Sequence, residues 1–311
     1  MRGLSLKYVV IGIAALGVLF FLGYLGFRGE PIAPATPPAP VVPIVATTTA
    51  KVDESQRKVI GLSVRGRAIE AFTYGTGDTH LLFVGGMHGG YEWNSVVLAY
   101  QFMDYLKEKP DRVPKGIQVT VIPSINPDGV YAVIRKEGRF TLRDVPNAEN
   151  TVGTGRMNAH DVDLNRNFDC NWKPKSTWKT NIVSAGTAPF SEPESVALRD
   201  FVLADKPSAA VFWHSKSNAV YASECKDGIL PDTLGIMKAY ARASKYAPVE
   251  KFDAYEITGD AEGWLASIHI PAITVELKTH ETVEWDANLA GVKALFEYFA
   301  NKKPLIKSGL D

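Results

Sequence analysis

The chain has 311 residues, with 34 Lys and Arg against 34 Asp and Glu, 46% hydrophobic residues and 22% charged ones. That composition suits one large or two ordinary globular domains and excludes a disordered or fibrous chain; zero formal charge leaves no electrostatic footprint for nucleic acid. Two cysteines are too few for a disulfide scaffold or a thiolate-only zinc site, so any metal must be held mainly by His and carboxylates.

Tyr8 to Phe27 is a run of twenty positions without a charge, preceded by Arg2 and Lys7. As a helix it measures about 30 Å, the thickness of a hydrocarbon core. The positive flank keeps residues 1–7 in the cytoplasm and sends everything after Arg28 outside it. An uncleaved transmembrane anchor is expected over 8–27, because the run exceeds the apolar region of an ordinary signal peptide. A signal peptide cleaved near Ala33-Pro34-Ala35 is the competing reading. Pro31 to Pro43 contains six prolines in thirteen residues, so 28–50 reads as an extended, semi-rigid linker and 51–311 as the folded domain. Only that linker precedes the domain, and synthesis without a zymogen segment is expected.

Within the domain, His80–Val84, Ile117–Ile122, Ala209–Trp213 and Ala272–Leu277 are short apolar runs of strand character. Trp93–Leu106, Ser191–Ala204, Asp232–Ala247 and Asp286–Ala300 have helical spacing, the second opening with Ser191 and Glu194 in capping-box relation. Strands alternating with helices predict an α/β sandwich: a mixed, largely parallel central sheet covered by helices. No internal repeat at solenoid periods is present.

Polar residues fall where the apolar strands stop. Val84 leads into Gly85-Gly86-Met87-His88-Gly89-Gly90-Tyr91-Glu92, Trp213 into His214-Ser215, and Val275 into Glu276. Sites in open α/β sheets form at such carboxyl ends. The glycine pair after His88 favours a tight turn that draws His88 and Glu92 around one point. With His214 they make the two-imidazole, one-carboxylate set of a catalytic zinc; the alternative is a loop histidine and a surface glutamate. In Asp163-Leu164-Asn165-Arg166-Asn167-Phe168, an Arg fork beside an amide suits a carboxylate, and an Asx-rich turn is the alternative. Asn126-Pro127-Asp128-Gly129 reads as a turn without a chemical role.

In order along residues 80–285, Gly-Gly-Met-His88 through Glu92, Asn-Pro-Asp-Gly, Asp-Leu-Asn165-Arg166-Asn-Phe, Phe-Ser-Glu-Pro-Glu, Trp-His214-Ser215, Tyr255 with Gly259 and Trp264, and Thr-Val-Glu276-Leu resemble the zinc carboxypeptidases of the carboxypeptidase A-like family. The resemblance implies one zinc on His88, Glu92 and His214, with Glu276 as general base. It implies that Asn165 and Arg166 hold a substrate's terminal carboxylate, that Arg156 stabilises the oxyanion, and that Tyr255 closes over the substrate on a mobile loop. The family spacing is His-x-x-Glu, whereas three residues separate His88 from Glu92; Lys216 replaces a frequent aromatic residue after His-Ser, and Gly263 a frequent Asp. In the family, the segment from Tyr255 to Trp264 shapes the pocket for the terminal side chain. Asp260 and Glu262 there would favour a cationic group if they face the pocket; the alternative is that they cap a helix over 261–268 and point outward. Cys170 and Cys225 either pair or remain free thiols. His80, His160, His269 and His280 are read as structural or exposed.

The leading expectation is therefore a membrane-tethered, monomeric zinc metallocarboxypeptidase acting outside the cytoplasm on peptides, including muropeptide stems. The alternatives are a zinc-dependent N-acyl amino acid deacylase and a catalytically inactive peptide-binding module on the same fold.

Overall fold

Every residue from Ala209 to Ser215 is buried, which a strand achieves only when both faces of its sheet are covered. The computed structural model describes residues 57–146 and 154–302. The anchor expected over 8–27 and the linker over 28–50 lie outside the described residues, among which no helix is long and apolar enough to cross a membrane.

The strands are β1 (Arg57–Leu62), β2 (Ala68–Gly75), β3 (Thr79–Val84), β4 (Ile117–Ile122), β5 (Lys175–Trp178), β6 (Asn181–Ser184), β7 (Ala209–Ser215), β8 (Ala219–Ala222), β9 (Glu224–Cys225), β10 (Gly228–Ile229), β11 (Ala247–Val249) and β12 (Ala272–Leu277). The helices are α1 (Trp93–Glu108), α2 (Pro127–Ile134), α3 (Pro193–Asp205), α4 (Pro231–Ser244), α5 (Ala261–Ser267) and α6 (Trp285–Asn301). Eight strands form one sheet in the order β1-β2-β4-β3-β7-β12-β8-β11. Its centre, β4-β3-β7-β12, is parallel throughout and consists of the four strands legible in the sequence. Antiparallel pairs β1–β2, β2–β4 and β12–β8 flank it.

Alternation along the central strands feeds two cores. Leu81, Phe83, Val211 and Trp213 face one layer with residues of α1, α4 and α6. Leu82, Val84, Ala210 and Phe212 face the other with α3 and α5. Phe83 stacks on Trp213 and Phe102 packs edge-on against both, at centroid distances of 5.0–5.7 Å, and each such side chain contributes about 1.5–3 kcal/mol by leaving water.

Three local expectations are corrected. The Ser191/Glu194 capping box does not form: Glu192 is the N-cap of α3 and makes no side-chain cap bond. Glu194 instead accepts from the Val64 N–H and from Asn158, and Ser191 bonds Glu192 and Asn167. Asn126-Pro127-Asp128-Gly129 does not simply turn; it starts α2, with Asn126 Oδ1 capping the Gly129 N–H. The helix expected to reach Ala247 stops at Ser244, because Ala247 enters β11.

Cys170 and Cys225 form a disulfide across 55 residues. A loop of that length is worth about 4 kcal/mol in chain entropy. Replacing both cysteines with alanine should lower the melting temperature by roughly 10 °C in a thermal scan; an unchanged value would mean the bond constrains nothing.

Candidate active site

β3, β7 and β12 run in parallel and end side by side, so the residues at their carboxyl ends share one rim of the sheet. Past β3, the chain turns through a single 3-10 turn, Gly89–Glu92, with Gly89 at φ +45°. A Cβ on Gly89 would stand 2.6 Å from the Gly155 carbonyl oxygen and 2.8 Å from the backbone of Gly129. The bare backbone thus lets the turn press against α2 and against the residue preceding Arg156.

The turn points His88 and Glu92 at the end of β7. His88 Nδ1 lies 2.8 Å from Glu92 Oε1, His214 Nδ1 lies 2.9 Å from Glu92 Oε2, and the two Nδ1 atoms are 3.1 Å apart. All three residues are buried, and their donor atoms fall within 4.8 Å of one another. The glycine loop absorbs the extra residue between His88 and Glu92. Two ring nitrogens converging beside one carboxylate require positive charge between them, a proton or a cation. Burial opposes ionisation of Glu92, yet His88 and His214 hold it well below the usual carboxylate range. Burial likewise opposes charge on His214, but Glu92 and Glu262 raise it well above an ordinary imidazole. A buried His/Glu/His set of this kind suits zinc, which takes three protein ligands and leaves a fourth position for water.

Behind the ligands stands Asp163, with no solvent exposure. Its Oδ1 lies 3.3 Å from His88 Nε2 and accepts the Asn165 N–H, while its Oδ2 accepts from Arg156 Nε and Nη2 at 3.1 and 2.8 Å. Arg156 Nη1 is 3.7 Å from Glu92 Oε1, and its guanidinium lies 4.4 Å over the Trp178 ring. Arg166 gives N–H bonds to the Thr177 carbonyl from Nε and Nη2 and to its own neighbour's carbonyl, Asn165, from Nη1. A guanidinium has five N–H donors, so donors remain for a ligand. Asn165 Oδ1 accepts the Ala261 N–H, which leaves its amide nitrogen as the donor end.

Glu276 is paired in register with His214, on the same face of the sheet. Its Oε2 is out of solvent and has no hydrogen-bond partner. Burial above all, then repulsion from Glu92, pushes its carboxyl up to about 8. Tyr255 is half-buried, packed edge-on against Phe252 at 4.8 Å. Burial raises its hydroxyl pKa, and Arg166, Arg156 and Glu276 all act on it, so the tyrosine stands at this same site. The two acids expected at a pocket are already engaged. Asp260 caps α5 through the Gly263 N–H, and burial, then Glu262, pushes it up to about 6. Glu262 is 2% exposed, accepting from Thr274 Oγ1 at 3.0 Å and facing His214 Nε2 at 3.4 Å.

Of the histidines read as structural or exposed, His80 is braced by Asp205 and Thr120, but His280 belongs to the rim. It bonds Ser215 Oγ at 2.8 Å and packs on Tyr91 at 4.7 Å. The β5–β6 hairpin, too, was not foreseen. Its Thr177 and Trp178 brace both arginines, and nothing in its short, half-exposed strands signals that position.

A family profile described as zinc carboxypeptidase matches residues 44–284. The chain belongs to the zinc carboxypeptidase family. Zinc is the metal of that family, and the donor set fits it. Among curated proteins, the uncharacterized protein YqgT of Bacillus subtilis (strain 168) is 22% identical over 222 residues, covering 63% of this chain and 58% of that protein. The carboxypeptidase N catalytic chain of Rattus norvegicus is 36% identical over 126 residues, 35% of this chain and 25% of that protein. This zinc carboxypeptidase chain thus spans 58% and 25% of the two relatives. Among solved structures, murein-tripeptide amidase MpaA from Escherichia coli O157 aligns with TM-score 0.55 at 23% identity, covering 76% of this chain and 91% of that one. Bovine thrombin-activatable fibrinolysis inhibitor aligns at TM-score 0.62 and 18% identity, covering 78% and 90%. These likenesses concern the fold.

Protons on His214 and Glu276 compete with zinc, directly at the first and through charge at the second. Zinc affinity should therefore rise with pH between about 6 and 8, roughly tenfold per unit for each proton expelled. Chelator-competition titrations at three pH values measure it, and a flat profile would contradict the assigned protonation.

Proposed function

We propose that this chain is a zinc metallocarboxypeptidase that hydrolyses the C-terminal peptide bond of peptides outside the cytoplasm, murein-type stem peptides included. The observation that carries the reading is Glu276, whose partnerless carboxylate oxygen lies beside His214 of the ligand set and in the field of Arg156. A module that only binds peptides has no use for a base there.

Bound at His88, Glu92 and His214, zinc supplies a Lewis acid that lowers the pKa of its water to about 7. Arg166 and the Asn165 amide hold the substrate's terminal carboxylate through charge-assisted hydrogen bonds, which restricts cleavage to the last residue. Glu276 accepts the proton of the attacking water on Oε2 and delivers it to the departing amine as the C–N bond breaks. Arg156, kept in place by Asp163 and Trp178, faces the charge that develops on the carbonyl oxygen. Tyr255 closes over the bound peptide and excludes water.

The expected anchor and linker set the compartment, and the Cys170–Cys225 bond supports it, because disulfides persist in oxidising surroundings. Murein enters the substrate range with the fold likeness to an amidase named for a murein tripeptide.

The test is mass spectrometry of a mixed peptide, muropeptide and N-acyl amino acid pool, with and without chelator. Loss of single C-terminal residues, abolished by the chelator, is expected; turnover of the acyl amino acids alone would replace the peptidase with a deacylase. Glu276→Gln should cut kcat by about 10²–10⁴-fold while bound zinc stays stoichiometric; full activity in that variant would remove the base from the mechanism. Arg166→Lys keeps the charge but loses the fork. Its kcat/KM should drop about 10–100-fold on free-acid peptides, with a smaller preference for free over amidated C-termini.

A further inference from the structure

Zinc held through Nδ1 leaves the histidine's proton on Nε2, and a buried N–H without an acceptor carries the full cost of its lost water. His88 Nε2 faces Asp163 Oδ1 at 3.3 Å, the acid on its side of the site, without a closed hydrogen bond. His214 is 1% exposed, and its Nε2 has no closed hydrogen bond. The carboxylate facing it is Glu262, at 3.4 Å, a residue that is itself 2% exposed. Thr274 Oγ1 donates to the same oxygen, Oε1, at 3.0 Å. Thr274 lies two residues before Glu276 on one face of β12, so the acid is anchored to the strand that carries the proposed base.

We propose that Glu262 is a positioning residue for the metal centre: it accepts the Nε2 proton of His214, fixes that ring's tautomer and orientation, and makes it a stronger ligand. The proposal rests on the zinc reading above and extends it to an acid that sequence reasoning assigned either to the specificity pocket or to a helix cap. Each imidazole then has its own carboxylate, Asp163 for one and Glu262 for the other, and outer partners of this kind typically carry a 10–100-fold effect on metal affinity. Asp163 also serves Arg156 and Asn165, so its loss would disturb three functions at once. Glu262 separates the contribution to zinc from the rest.

The experiment compares wild type, Glu262→Ala, Glu262→Gln and Thr274→Val as full-length proteins. Zinc affinity and release rate are read by chelator competition, and the visible spectrum is recorded after cobalt substitution. Glu262→Ala should weaken zinc binding about 10–100-fold, speed release and shift the cobalt bands. Glu262→Gln, which keeps an acceptor but loses the charge, should fall between Ala and wild type. Thr274→Val, which only frees the acid, should lose about 3–5-fold. Thermal scans with and without zinc separate a weakened site from an unfolded chain. If a Glu262 variant folds, keeps zinc affinity within about twofold and instead loses a preference for C-terminal Lys or Arg, the acid is a pocket wall and the proposal is overturned. If wild type itself takes up no zinc, the metallopeptidase reading fails first, and that result is distinct from any difference among variants.

Discussion

Asp163 is the constraint on which the site depends. A carboxylate with no exposure would be expelled or protonated unless cations and donors surround it, and here Arg156 grips one oxygen while His88 and the Asn165 N–H face the other. Burial works against its charge, but Arg156, His88 and Arg166 hold it ionised, well below the usual range. The arrangement couples His88 of the candidate metal set, Arg156 and the Asn165 backbone to one side chain.

The sheet and a hairpin beside it supply the rest of the alignment. Parallel β3, β7 and β12 bring three distant segments to one edge, and the pairing of Glu276 with His214 sets how far the proposed base stands from the metal ligands. Outside the sheet, β5–β6 gives its Thr177 carbonyl to Arg166 and its Trp178 ring to Arg156. The same hairpin ties down the loop after Tyr255: Thr177 Oγ1 donates to the Glu256 carbonyl, and Ser176 shares a hydrogen bond with Thr258. Gly259 bonds both Phe168 and Cys170, so the loop, the clamp and the disulfide form one braced unit.

What could be read in the chain divides along physical lines. The four central strands were legible because buried parallel strands are continuous apolar runs, and their boundaries were marked by His88, His214 and Glu276. Edge strands β1 and β11 were not, since their largely exposed residues carry little hydrophobic period, and the buried four-residue β8 is too short to show one. Ser191 and Glu194 have the spacing of a capping box, yet buried partners from Asn158, Asn167 and Val64 outcompete the local bonds. Asn126 reversed in the same way, from a turn residue to a helix cap.

The order and type of residues alone determined the α/β class and the central strands, and, with the family resemblance, singled out His88, Glu92, His214, Glu276, Asn165 and Arg166 as candidates, because strand ends, glycine turns and charged forks leave their chemistry in local sequence. Tertiary structure alone decided that Cys170 meets Cys225, that Trp178 lies on Arg156, and that buried Glu262 faces His214. Those are pairings between segments tens of residues apart. Their energies depend on distance and burial, and neither exists until the chain has folded.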